Sequence, residues 1–250
     1  MIETERELSG RRVTRDEVLP FRCHPDLPCF NSCCRDKRLT LLPYDVLRLS
    51  RGLDCGTGAF LGMYAELEIE PASGWPTVRI RLAHDGRCPF VRAVGCGVYA
   101  DRPTCCRIYP LARAVGLGTD GEPTELLLVD ATKDRCGGFD APETQTVEEW
   151  TRGQGLDAYR GPNERVAKLL LHPRRPRPLS LSSEDVHAVV MALYNVDVFR
   201  AFASRPGFAS STGLAEERVA EALGSDDALL ALGQEWIAAR LFGGELRRRP

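Results

Sequence analysis

Apolar positions along this chain fall into three rhythms, and the rhythms divide it. Residues 1–20 are charged and aperiodic and read as a loosely attached arm. Pro43 at a first-turn position, with Val46 and Leu49 on one face, predicts a helix that runs out at Gly52. Phe60, Leu61, Tyr64 and Leu67 predict a second helix over 58–69. From Trp75 the period drops to two. Val78, Ile80 and Leu82 alternate with Thr77, Arg79 and Arg81, which predicts a half-buried strand turned back at Asp85-Gly86. Val91 to Tyr99 predicts a short partner strand, in which Gly95 and Gly97 let the backbone around Cys96 approach a neighbour closely. Leu111–Val115 and Thr124–Val129 pair as a hairpin about Asp120-Gly121.

Beyond residue 140 the helical period takes over. Thr146 and Glu149 form a capping box ahead of a short helix, and Pro162 opens another that reaches His172. Arg174-Arg175-Pro176-Arg177-Pro178 is a basic, proline-rich connector. Ser183 caps a predicted helix over 184–204, carrying Val186, Val190, Leu193 and Phe199. Its Asn195 and Asp197 are the polar residues placed to touch the first half of the chain. Two further helices fit 214–223 and 226–242, the latter started by Ser225 and stopped by Gly243-Gly244. The expected fold is α+β. It comprises an arm over 1–20, a small cysteine-rich domain of short helices and β-hairpins over 21–140, and an all-α domain over 141–250.

Composition narrows the partners. With 250 residues, 43% of them hydrophobic, the chain can bury a full core. A net charge of -2 and a pI near 6.1 remove the electrostatic case for nucleic acid. No run approaches eighteen apolar residues, so no membrane association is expected. The charged start, MIETERELSGRR, does not resemble a signal peptide, which points to the cytoplasm, where thiols stay reduced.

That compartment matters because the chain has ten cysteines, eight of them in two knots. The first is Cys23-HPDLP-Cys29-FNS-Cys33-Cys34, kept out of helix by Pro25 and Pro28. The second is Cys88-PFVRAVG-Cys96-GVYADRPT-Cys105-Cys106. Reduced, clustered cysteines read as metal ligands or redox groups, and four thiolates suit zinc or an iron–sulfur cluster. Close spacing lowers the entropy cost of gathering them. In extended backbone, Cys33 and Cys34 face opposite ways and would serve two sites, unless the loop is sharply bent. Arg102, Arg107 and Arg135 are candidates to stabilise a negatively charged centre, against the plainer reading of surface arginines. Asp45 reads as a cap or a solvated residue, His24 and His84 as solvated loop residues, and Arg174–Arg177 and Arg247–Arg249 as solvated linker and tail. Gly116–Gly121 spells GxGxxG but leads into a strand, so it is a hairpin tip and not a dinucleotide site.

Cys88-Pro89-Phe90, Cys96, Tyr99, Arg102-Pro103, Cys106-Arg107 and Tyr109-Pro110 follow an apolar helix and precede the late Cys136. With the first knot, this order resembles the YkgJ-type cysteine-cluster family of zinc- or iron-chelating domains, written CxxCxxCC then CxFL…CxIYxxRPxxCRxFP. The likeness covers about residues 20–140. Spacings of five and three residues in the first knot depart from the family's two and two, and are closer to the flagellin lysine N-methylase branch. The resemblance implies the ligand set Cys23, Cys29, Cys33, Cys34, Cys88, Cys96, Cys106 and Cys136, leaving Cys55 and Cys105 as plain thiols. It implies an iron–sulfur cluster, 4Fe–4S favoured, with zinc as the alternative. Eight thiolates suffice for two four-coordinate zincs, or for one cluster with structural thiols beside it. On the enzymatic version, S-adenosylmethionine would methylate a lysine of a protein substrate. A non-catalytic zinc scaffold for a protein partner, and an electron carrier or redox sensor, are the other functions these residues allow.

Overall fold

A computed structural model describes residues 10–118, 123–129, 136–142, 144–176 and 178–243. Its architecture is α+β, with small antiparallel sheets in the first half and helices in the second. Pro43 opens helix α1 (Pro43–Gly52) as expected, followed by α2 (Thr57–Tyr64). The predicted second helix stops there. Ala65-Glu66-Leu67-Glu68-Ile69 alternates in period two and forms a strand, so the apolar residues at 60, 61 and 64 belong to a helix and Leu67 to a sheet. Numbered in chain order, this strand is β4 (Ala65–Ile69). It pairs antiparallel with β5 (Pro76–Ile80), whose other edge takes β3 (Thr40–Leu41). The central strand is buried on both faces. Arg79 is covered because Glu68 and Glu70 neutralise it, and Thr77 because its hydroxyl donates to the Glu68 carbonyl at 3.1 Å.

The first twenty residues are tied down where they are described. β1 (Arg11–Val13) adds to the hairpin of β8 (Leu111–Leu117) and β9 (Pro123–Val129), and β2 (Val18–Leu19) pairs with β10 (Gln145–Thr146). Val13 and Leu19 are buried, and Arg15 pairs with Glu125 and Glu148. These strands are two and three residues long, too short to show a period. The tip at Asp120-Gly121 lies outside the described residues, and strands flank it as the hairpin reading required.

Val91–Tyr99 does not extend the β5 sheet. It folds on itself as β6 (Val91–Arg92) and β7 (Gly95–Cys96), with Gly95 at φ +122° in the turn. Thr104–Ile108 forms a five-residue helix, α3, that sequence pattern alone did not mark.

In the second half, the Thr146–Glu149 capping box starts α4 (Val147–Gly153). Helix α5 (Asp157–Leu170) begins a turn before Pro162, which sits inside it. The long helix expected over 184–204 is two helices. α6 (Ser183–Tyr194), capped by Ser182, and α7 (Val196–Ala203) meet at 103°. Asn195 makes the break, its side chain accepting from Val198 N at 3.3 Å and so capping the new helix. Short α8 (Phe208–Thr212), α9 (Glu216–Leu223) and α10 (Asp226–Phe242), the last capped by Ser225, complete the chain. Among the described residues no single helix is long and apolar enough to cross a membrane.

The helical half is not set apart from the first. Leu41, Val46, Leu49 and Phe60 share one apolar core with Val189, Leu193, Phe199 and Ile237. Asp197 accepts from Gly58 N at 3.1 Å and stitches α7 to the start of α2. A second core lies under the β1–β9–β8 sheet, from Val13, Phe21, Ile108, Leu127, Phe139 and Val147.

Helices α6 and α10 touch almost backbone to backbone. A Cβ at Gly233 would stand 2.3 Å from the Ala192 carbonyl oxygen, whereas one at Gly62, exposed in α2, would meet nothing within 4 Å. Gly233→Ala should therefore destabilise by about 1–3 kcal/mol through overpacking. Gly62→Ala should stabilise by up to about 1 kcal/mol through helix propensity. Chemical denaturation of both variants checks the pair, and equal effects would contradict the close α6–α10 approach.

Candidate metal centre

The first cysteine loop is a chain of tight turns. Leu27 N donates to His24 O, Phe30 N to Leu27 O, Ser32 N to Cys29 O and Cys34 N to Asn31 O, at 2.9 to 3.2 Å. Asn31 takes a left-handed conformation (φ 66°), and Ser32–Cys34 is a 3-10 turn. The loop is thus bent, not extended, at the adjacent pair. Two clamps hold it. Arg22 N donates to Gly138 O at 2.9 Å, an approach that only glycine permits, because a Cβ there would stand 2.8 Å from the Arg22 carbonyl. At the other end, Cys88 N donates to Cys34 O and Asp36 N to Gly86 O, each at 2.9 Å. The clamps bring Cys136 towards the first knot and Cys88 beside Cys34.

The second knot is carried by the β6–β7 turn, which presents Cys96, and by α3, which holds Cys105 and Cys106. A buried carboxylate fixes α3. Asp45 Oδ1 accepts from Thr104 N at 2.8 Å and from Thr104 Oγ1 at 2.7 Å, while Oδ2 accepts from Leu42 N at 2.9 Å. Asn163 Nδ2 donates to the same threonine hydroxyl at 3.1 Å. Burial pushes the Asp45 carboxyl up to about 6 against these hydrogen bonds. Asp45 is indeed a cap, but it also joins α1 to the helix bearing Cys106. Its place among α1's buried residues is the signal that the cap reading alone missed.

Arg102 and Arg107 are buried, not surface, residues. Arg107 Nε donates to Arg102 O at 2.9 Å and Nη1 to Gln154 O at 2.7 Å, with the guanidinium 4.6 Å from the Tyr159 ring centroid. Arg102 donates to Tyr99 O at 2.7 Å and to the Gln154 side chain, and lies 3.7 Å from the Tyr99 ring centroid. It stands within electrostatic reach of Cys96 and Cys106. Arg135 and Arg247–Arg249 lie outside the described residues. His84 is exposed, and His24 leans on Asp26 at 3.5 Å while lining the thiol cavity.

All ten cysteines are free thiols. Cys23, Cys33, Cys34, Cys88, Cys96, Cys105 and Cys106 line one cavity of about 790 Å³, and Cys29 and Cys136 pack behind it against Phe21 and Phe139. Tyr109, which sequence reading did not single out as a neighbour, hydrogen-bonds Cys136. Cys55 stands apart, near Asp54 and Asp197. Among the described residues, no three histidine, cysteine, aspartate or glutamate side chains are gathered closely enough to hold a single metal ion.

Thiol acidity reflects the crowding. Although Cys23 is exposed as a residue, partial desolvation of its thiol pushes it up to about 11, and nearby Cys33, Cys136 and Cys29 add to it. Burial also pushes Cys88 up to about 11, with Cys106 and Cys96 contributing. Cys33 goes the other way, to about 7, because the Cys34 S–H donates to it and Lys37 lies near. Cys34 and Cys106 are raised, each chiefly through the hydrogen bond to its neighbouring cysteine. Such a donor set fits a soft cation or cluster, which binds thiolates and relieves their mutual repulsion. Within the cavity wall Cys34 stands within electrostatic reach of Cys106 and Cys88, and Cys88 and Cys96 within reach of Cys106.

Turn-rich loops that carry convergent, reduced thiols over a shared cavity define a cysteine-cluster chelating domain. Residues 22–137 match the family described as "CxxCxxCC: Putative zinc- or iron-chelating domain". Comparison with curated proteins and with solved structures gives no match.

Asp45→Asn turns one acceptor of that buried carboxylate into a donor facing another donor. It should cost about 1–3 kcal/mol and loosen α3, read by denaturation and by faster alkylation of Cys106. An unchanged alkylation rate would separate Asp45 from the site. Because Cys23 and Cys88 hold their protons more tightly when folded, the metal-free chain keeps their full contribution below about pH 9. It loses that contribution as pH climbs through about 11. Denaturation midpoints should fall more steeply over this range for the native chain than for Cys23→Ser/Cys88→Ser. Parallel slopes would contradict the crowding.

Proposed function

We propose that the domain over residues 22–137 holds an iron–sulfur centre, 4Fe–4S in type, and that the protein works in a reducing compartment such as the cytoplasm. The carrying observation is the single cavity with seven thiols in its wall, more sulfur donors than one tetrahedral ion takes. Arg102 beside Cys96 and Cys106 supports the reading, since a buried cation offsets the negative charge of a thiolate-bound cluster. When bound, the centre would supply electron transfer or the polarising charge of its iron. The chain's own residues do the holding: Asp45 and Thr104 set α3, and the Cys34–Cys88 backbone bond sets the first knot against the second.

Zinc is the second reading, favoured by a set of eight thiolates, enough for two tetrahedral ions. Anaerobic purification followed by iron, zinc and acid-labile sulfide analysis decides between them. Iron and sulfide in equal amounts, with a visible absorption that bleaches on reduction, is the expected result. Stoichiometric zinc without sulfide would overturn the cluster. The likeness to flagellin lysine N-methylases makes methyl transfer from S-adenosylmethionine to a protein lysine the reaction to assay, with labelled cofactor and cell extract. Labelled protein would support an enzyme. No label with the centre intact would favour an electron carrier or redox sensor.

A further inference from the structure

We infer that the crevice between helix α5 and the β8–β9 hairpin is a binding site for a neutral organic molecule, one with an apolar body and a single hydroxyl or amide N–H. The cavity that the thiols line does not end at them. It continues between α5 and the β9 strand against which that helix packs, where Leu42, Leu111, Leu128, Val166, Leu170 and Leu171 form its wall. None of these six is a candidate metal ligand, and the three from α5 and its C-terminal end lie beyond residues 22–137. The inference therefore does not rest on the thiols holding metal.

One polar group interrupts the apolar wall. Asn163, only 4% exposed, lines the cavity beside Thr104. The hydroxyl it meets fixes the orientation of its amide. Thr104 Oγ1 gives its proton to Asp45 Oδ1 at 2.7 Å and can then only accept, so Asn163 presents Nδ2 to it at 3.1 Å. Asn163 Oδ1 is left buried and, among the described residues, without a donor. A buried carbonyl oxygen with no donor is costly, and an O–H or N–H brought into the crevice by a ligand removes that cost.

Charge limits the rest of the ligand. Among the described residues Asp45 is the one carboxylate in the cavity lining, and its oxygens already accept from Thr104 and Leu42. Arg113 is paired with Glu125, and Arg38 with Glu68. Lys37 and Arg102 belong to the sulfur end, near Cys33 and near Cys96 and Cys106. An ion lying along the leucines would meet no free opposite charge, so the crevice suits a neutral body. Arg113, Val115 and Ala167 also line a second cavity, with Arg15, Glu148 and Lys168, which gives the crevice an approach apart from the cysteine loops.

The probes are 4-propylphenol, which carries a donor, and 4-propylanisole, the same body with that donor methylated. Each is titrated into the full chain, purified anaerobically with labelled leucine and valine methyl groups, and followed by NMR, which reads affinity and place together. The phenol should bind saturably and shift Leu128, Val166 and Leu170, and the ether should bind about tenfold more weakly. Ala167→Leu, which fills the crevice at the shared wall, should weaken the phenol by at least about tenfold. Equal affinity for phenol and ether, shifts confined to residues around the sulfurs, or no saturable binding would overturn the inference. Undiminished binding to folded Ala167→Leu would do the same. If that variant does not fold, the comparison of phenol and ether on the native chain decides.

Discussion

Thiolates crowded into one place repel each other unless a cation stands between them, and that constraint shapes the first half of this protein. Without a cation, the cheapest state is protonation, which is why burial and neighbouring sulfurs hold Cys23 and Cys88 well above the ordinary thiol range. With one, the same crowding becomes coordination, and the loops that carry the thiols gain ties that their own hydrogen bonds do not supply. The 22–34 and 88–96 segments have little regular structure: turns, one 3-10 step and a two-plus-two hairpin. Segments of this kind hold a shape when something joins them across.

The surrounding fold is arranged to set those loops, not to replace the joint. Asp45, buried in α1, fixes the N-terminus of α3 and hence Cys106. Gly138 admits the Arg22 backbone and so brings the late cysteine towards the first knot. Arg107 and Arg102 tie the 99–107 segment to Gln154 at the end of α4, so the helical half braces the second knot directly. The α6–α7 corner at Asn195 lets Asp197 reach α2 while Phe199 enters the shared core. The C-terminal helices therefore act as a buttress for the cysteine-bearing half.

Much of this was legible in the residues, and the misses have physical reasons. The Pro43 helix, the Thr146–Glu149 capping box and the Ser225-capped last helix are local signals, and they appear as read. Strand β4 was hidden because Phe60 to Leu67 fits a helical stripe until Tyr64, after which a cross-strand partner 15 residues away at Ile80 decides. Strands β1 and β2 are too short to show a period and depend wholly on distant partners. The long helix broke because Asn195 offered the backbone a cap, which periodicity does not register. At the site, the two knots and the late Cys136 were plain from spacing and resemblance. The opposite-faces argument for Cys33 and Cys34 assumed extended backbone; the residues lie in a 3-10 turn, and their sulfurs hydrogen-bond each other. Asp45, Tyr109 and Asn163 gained their roles only when chain segments far apart in sequence met.

X-ray absorption at the iron and zinc edges of anaerobically purified protein tests the central claim most directly, because it reads the atoms bound to the metal. The account predicts a first shell made of sulfur alone, with an iron–iron distance visible where iron is the metal. A first shell of oxygen or nitrogen, or no edge from protein that is folded and fully reduced, would contradict it.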